Sequence, residues 1–234
     1  GTVTNTERRV QLTNPAIRPT GDVRQDYEIV ADLAARFGHT FPRTPEGLFR
    51  EIRDLTPSYA GLTYDRIRDV GIPWPCPTEE HPGTRTLHKG KFSRGLALLT
   101  PLTYKPPAEE PDADYGLVLS TGRIREHFHT GSMTRRSGIL DAIVKAGHVE
   151  LHPTDAAAQG ITHGERIAVA TRRGRIETLA LVTERVSPGS IFVPFHFAEA
   201  PANALTNDAL DPIAKIPEFK VCAARIERIA DAKG

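Results

Sequence analysis

Residues 163–197, HGERIAVATRRGRIETLALVTERVSPGSIFVPFHF, hold three short apolar runs separated by turn residues. Apolar and polar residues alternate on both sides of Arg173-Gly174. That is the pattern of a β-hairpin, because successive side chains on a strand face opposite sides of the sheet. Working outward, YGLVLSTG (115–122) reads as a buried strand. HVELHPTDAAAQGI (148–161) reads as a strand, then a short helix capped by Thr154 or Asp155 and closed by Gly160. KVCAARIERI (220–229) is strand-like. Closely spaced short strands with one embedded helix predict a small β-barrel with helical insertions.

The front of the chain has a different grammar. Residues 1–20 are polar and turn-rich, with Asn5, Asn14, Pro15 and Pro19. In RQDYEIVADLAARFG the residues Ile29, Val30, Leu33, Ala34 and Phe37 fall on one helical face, ended by Gly38. TPEGLFREIRDL offers Thr44 as N-cap and Pro45 at the first helical position, with Leu48, Phe49, Ile52 and Leu55 as its stripe. A shorter helix is expected over 63–70. From Gly71 to Pro111 the chain is rich in proline and glycine, and YKPPAEEPDAD reads as a linker. The fold class is therefore α+β: a helical, loop-rich segment at 1–111, and a barrel domain at 112–234.

The whole chain sets limits on function. Its 234 residues are 39% hydrophobic and 25% charged, which is globular rather than disordered. No run approaches the roughly 20 apolar residues of a membrane helix. The formal charge of +1 gives no global attraction for nucleic acid or anionic lipid, so any pull on an anion is local. Two cysteines, Cys76 and Cys222, exclude a disulfide framework and a four-thiolate cluster by count. The chain starts at Gly1 with no methionine, so it reads as a piece of a longer or processed protein.

The local attraction is concentrated in TGRIREHFHTGSMTRRS (121–137), which carries four arginines, two histidines and five hydroxyl side chains directly after a strand. Gly122 lets backbone amides approach a ligand, and Arg123 adds a planar fork suited to phosphate oxygens. His127 and His129 lack a cysteine or carboxylate set that would complete a zinc site, so hydrogen bonding to a polar ligand is the better role. Near the end, Asn203 sits among alanines, where an amide presents donor and acceptor to a heterocycle, and Lys220 follows Phe219. Taken singly, each also reads as an ordinary loop or strand-edge residue. There is no P-loop, no nucleophile elbow and no Gly-x-Gly-x-x-Gly.

Four segments in order, TGRIREHFHTGSMTRRS, VELHPTDAAAQGITHGERIAVATRRGRI, GSIFVPFHFAEAPANALTNDALDP and KIPEFKVCAARIERI, resemble the C-terminal portion of molybdopterin-dependent oxidoreductases. GTVTNTERRVQ and GIPWPCPTEEHPGTRTLHKGKF resemble the formate dehydrogenase alpha-subunit branch, with nitrate reductases next. The resemblance implies a double-psi β-barrel, the dinucleotide-binding domain of that family. It implies a bis(molybdopterin guanine dinucleotide) cofactor with Mo or W. The cofactor-facing residues would be Thr121, Gly122, Arg123, Glu126, His127, His129, Thr130, Met133, Thr134, Phe195, Asn203, Phe219 and Lys220.

It further implies that the metal ligand, an Fe-S cluster and the groups acting on formate lie upstream of Gly1, so this segment alone would not turn over. No catalytic residue and no metal ligand is expected within it. The partners would be the remainder of the catalytic subunit and electron-transfer subunits carrying Fe-S, flavin or NAD, in the cytoplasm, with no nucleic acid and no membrane span. A nitrate reductase fragment and a separate molybdopterin-binding subunit stay open as alternatives.

Overall fold

The computed structural model describes residues 1–229, and the chain divides into two units, Gly1–Pro101 and Leu102–Gly234. In the first unit, β1 (Thr2–Thr4) and β2 (Arg9–Leu12) form an antiparallel hairpin pairing Thr2 with Leu12. Asn5 shapes its turn, its side-chain oxygen accepting the amides of Glu7 and Arg9, both at 3.0 Å. α1 (Asp26–Arg36) begins where Glu28 accepts the Gln25 amide at 2.9 Å. α2 (Pro45–Leu55) is capped by Thr44, whose hydroxyl accepts from the Gly47 amide at 3.1 Å. α3 (Tyr64–Ile67) is shorter than the expected 63–70. β3 (Ile72–Pro73) then pairs with β2. The first twenty residues are therefore not all loop: two short strands form there because β3, some sixty residues on, supplies their third neighbour.

Val10, Phe49, Leu62, Ile67 and Cys76 make this unit's core. The helix stripes read from the sequence are only partly used. Phe49 is buried, whereas Ile29, Val30, Leu33 and Phe37 of the α1 stripe, and Ile52 and Leu55 of α2, are exposed. Within the unit, nothing among the described residues covers them.

The second unit begins ten or so residues before the expected boundary at 111/112. Residues 102–111 belong to it because Glu109 pairs with Arg172 and Arg173, and the Ala108 amide donates to Glu218 at 3.0 Å. Its strands are β4 (Leu117–Gly122), β5 (His148–Leu151), β6 (Arg166–Ala170), β7 (Arg175–Val182), β8 (Ser190–Pro194) and β9 (Cys222–Arg228). They close in the order β4-β8-β5-β7-β6-β9. β4 with β8 and β5 with β7 are parallel; the other four pairs are antiparallel. This is the closed barrel expected of the rear half, and closure leaves no unpaired strand edge. Leu119, Val149, Leu151, Ile167, Val169, Ile191 and Val193 fill its interior from alternate strand positions.

Two helices interrupt the barrel: α4 (Gly138–Ile143), which the sequence pattern did not reveal, and α5 (Pro153–Ala158). The α5 cap is His152 rather than Thr154 or Asp155. Pro153 takes the first helical position, so the residue before it is extended and its imidazole accepts from the Thr154 amide at 3.2 Å. Asp155, one turn in, accepts instead from the Gly189 amide at 2.8 Å.

Candidate functional site

The site is assembled where β4 ends. β4 lies between β8 and β9, so Thr121 and Gly122 are buried at the strand's C-terminal end. Thr121 is tied twice to the segment entering β9: its hydroxyl donates to the Phe219 carbonyl at 2.6 Å, and its carbonyl accepts from Lys220 Nζ at 3.0 Å. The same ammonium lies 5.1 Å from the Phe219 ring. The Gly122 carbonyl accepts from the Phe195 amide at 3.1 Å. A Cβ at Gly122 would stand 2.6 Å from Phe192 Cε2, so any larger residue must displace that ring.

The chain then leaves the barrel as a loop held from inside. Arg123 is exposed, its guanidinium carbon 5.9 Å from the Phe195 ring. The Ile124 amide donates to His196 Nε2 at 3.0 Å, and His196 Nδ1 bonds the His129 carbonyl. An amide only donates and a carbonyl only accepts, so His196 is neutral with its proton on Nδ1. Burial, first, pushes its pKa below the ordinary histidine value, and the positive fields of His127, Arg123 and His129 act the same way; the His129 carbonyl bond opposes them.

His127 is buried and both its nitrogens are occupied. Nε2 donates to the Val144 carbonyl at 2.7 Å, and Nδ1 accepts from the Thr134 hydroxyl at 3.1 Å, which itself accepts the Phe128 amide at 3.2 Å. His127 and Thr134 therefore fasten the loop to itself and are not free donors, contrary to the sequence expectation. His129, Thr130 and Met133 are exposed, and His129 is left-handed at φ 48°. Glu126 is half-buried and accepts from Arg125 at 3.2 Å. Arg135 is a structural residue: it binds Glu199 at 2.8 Å and the Lys145 carbonyl at 3.2 Å, and lies over the Phe197 ring at 5.1 Å.

Thr121, Gly122, Arg123, Phe195, Phe219 and Lys220 thus converge. Asn203 stands apart, exposed on a one-turn helix at Ala202–Ala204, its side chain making no hydrogen bond among the described residues. Four residues on, Asn207 donates from its side chain to the Val221 carbonyl at 2.8 Å and from its backbone amide to Cys222 Sγ at 3.2 Å. Asn207 and His196 were both missed. His196 lies in FVPFHF, where no local pattern marks a loop anchor, and the Val221 and Cys222 partners of Asn207 are fourteen and fifteen residues away.

A cleft of about 1060 Å³ opens beside the loop, lined by Arg123, Arg125, Lys145, His148, Glu150 and Arg185 among others. Glu150 is buried and paired with Arg185 at 2.8 Å. His148 Nε2 is buried with no hydrogen-bond partner, and burial lowers that histidine's pKa. Among the described residues Arg123, Lys145 and Lys220 form no ion pair. Surplus cations beside exposed donors fit a phosphate-bearing ligand, and the cleft has the volume for a nucleotide-sized one. No three metal-ligating side chains gather among the described residues.

A closed barrel whose first strand ends in Gly122, with the unpaired cations Arg123 and Lys220 beside it, is suited to a phosphate-bearing ligand. Residues 117–223 match the molydopterin dinucleotide binding domain. The chain is 47% identical over 234 residues to the F420-dependent formate dehydrogenase subunit alpha of Methanocaldococcus jannaschii, covering 98% of this chain and 35% of that protein. It is 38% identical to the assimilatory nitrate reductase catalytic subunit of Bacillus subtilis, covering 97% of this chain and 34% of that one. The chain thus spans about a third of the length of the curated relatives it matches. Acetylene hydratase from Pelobacter acetylenicus shares the fold, with a TM-score of 0.70 at 18% identity, over 98% of this chain and 37% of that chain.

Proposed function

We propose that this chain is the cofactor-holding C-terminal part of a formate dehydrogenase-like catalytic subunit, carrying bis(molybdopterin guanine dinucleotide) with Mo or W. The observation that carries the reading is the convergence of Gly122, Arg123 and Lys220 at the end of β4, in a barrel that matches the dinucleotide binding domain. The higher identity to formate dehydrogenase subunits, 47% against 38%, supports formate over nitrate. The bound group would supply the two-electron redox centre.

The chain's own residues have three tasks. Arg123 and Lys220 neutralise diphosphate charge, each charge-assisted bond contributing roughly 1.5–3 kcal/mol. Gly122 gives backbone access at the strand end. The exposed His129 and Thr130 add donors, and Asn203 offers an amide on the neighbouring loop. Glu126 and Met133 line the approach, and Phe195 backs Arg123. In this reading the exposed apolar faces of α1 and α2 are covered by the rest of the polypeptide, which also holds the metal ligand and an Fe-S cluster. Electron-transfer subunits dock on that larger body, in the cytoplasm, and the present segment does not turn over by itself.

The test is to purify the complete polypeptide containing this segment and assay formate oxidation and nitrate reduction side by side. Formate oxidation is expected; nitrate reduction without formate oxidation overturns the substrate assignment.

A further inference from the structure

His196 holds the loop that follows β4 at two points. Its Nε2 accepts the amide of Ile124, the second residue beyond β4, and its Nδ1 donates to the carbonyl of His129, at the loop's left-handed residue. The ring that makes both bonds is buried: His196 is 1% exposed, with the His127 ring at 6.0 Å and the Phe197 ring at 6.3 Å. Gly131, two residues beyond the His129 anchor, faces the His196 carbonyl so closely that a Cβ there would come within 2.9 Å of it. The residues between the two anchor points, Arg125 to Phe128, are therefore closed into a fixed bow, with Arg123 just outside one anchor and Thr130 just outside the other.

We propose that His196 is a positioning residue which, by bonding Ile124 and His129 at once, sets the shape in which the loop presents Arg123, His129 and Thr130 to the dinucleotide. This rests on the functional reading above for the identity of the ligand, and on the hydrogen bonds alone for the clasp. The clasp needs a neutral ring. A proton on Nε2 would turn the acceptor for Ile124 into a donor facing an N–H, so protonation opens one anchor. The groups facing the ring are Arg123, His127 and His129 from the loop, whose fields all disfavour a charged His196, with Arg135 over the adjoining Phe197. None offers a negative charge that would make an imidazolium welcome.

The experiment measures amide hydrogen exchange in the segment 123–131, with cofactor content, in the complete polypeptide between pH 5 and 8. Wild type, His196→Gln and His196→Ala are compared. Glutamine keeps a planar head with one acceptor and a donor but does not titrate. His196→Ala is expected to speed exchange at Ile124 by about tenfold or more, as losing a buried bond of about 1.4 kcal/mol would do, and to lower cofactor content. Wild-type protection, measured as exchange relative to the intrinsic rate at each pH, should fall as pH drops below about 6.5, and His196→Gln should be protected at pH 7 without that loss. Wild-type exchange in His196→Ala, or an acid loss of protection undiminished in His196→Gln, overturns the clasp. If His196→Ala does not fold, the glutamine variant decides alone. Faster loop exchange with full cofactor content keeps the clasp and instead overturns the loop's assignment to the cofactor.

Discussion

Lys220 and Thr121, 99 residues apart, are joined by a 3.0 Å hydrogen bond from the lysine ammonium to the threonine carbonyl. That bond places a cation without a carboxylate partner at the end of β4, beside Gly122, where a Cβ would press on the Phe192 ring. Lys220→Met is expected to leave the barrel folded and weaken cofactor retention by about tenfold or more, because a bond to a charged group is worth roughly 1.5–3 kcal/mol. The check is pterin content per polypeptide, with circular dichroism to verify the fold.

Gly122→Ala is expected to destabilise the barrel by about 1–3 kcal/mol, since its Cβ would meet Phe192 Cε2 at 2.6 Å in a packed strand pair. Adding Phe192→Leu should recover part of the loss. Urea denaturation of the single and double variants measures the coupling; equal stability of Gly122→Ala and wild type would show that the approach is not tight.

Arg123→Ala is expected to separate binding from stability. The guanidinium is exposed and contributes only its contact with Phe195, worth about 0.5–1 kcal/mol at such a site, so the denaturation midpoint should move little. Cofactor retention should fall markedly.

Acid should loosen the segment preceding β4. Burial acts to raise the Glu109 pKa, but hydrogen bonds from Arg173 and Arg172 outweigh it and hold the carboxyl below its usual value. Asp112 is also lowered, first by the Tyr115 amide and then by the Asp114 amide and Arg172. A depressed carboxyl contributes stability that is present above the unfolded-state value, about 4, and is lost as pH falls through the lower folded value. Glu109→Gln should lower stability at pH 7 and flatten the loss below pH 4, read from urea midpoints across pH.

The barrel was legible because its strands alternate cleanly and its turns carry glycine, so β4 to β9 could be read locally. The cluster of Thr121, Gly122, Arg123 and Lys220 was visible through the family resemblance, while their shared location is set by strand order, which no local pattern encodes. The hairpin β1–β2 was hidden because strands of three and four residues have almost no periodicity and depend on β3 for support. The α1 stripe was read correctly as apolar, yet Ile29, Val30, Leu33 and Phe37 are exposed: a pattern shows which face wants cover, not what covers it. His127 looked like a ligand donor because its two partners, Thr134 and the Val144 carbonyl, come together only in the folded loop.

The decisive measurement is the guanine nucleotide and pterin released on acid hydrolysis from the purified complete polypeptide, wild type against the Arg123→Ala/Lys220→Met pair. A dinucleotide held at the end of β4 requires wild type to release both and the double variant to lose most of them, by about a hundredfold or more in retention if two charge-assisted bonds of at least about 1.5 kcal/mol each are removed, while its barrel still melts cooperatively. Undiminished guanine and pterin in a folded double variant would mean that the strand end, with its two cations, does not hold the cofactor.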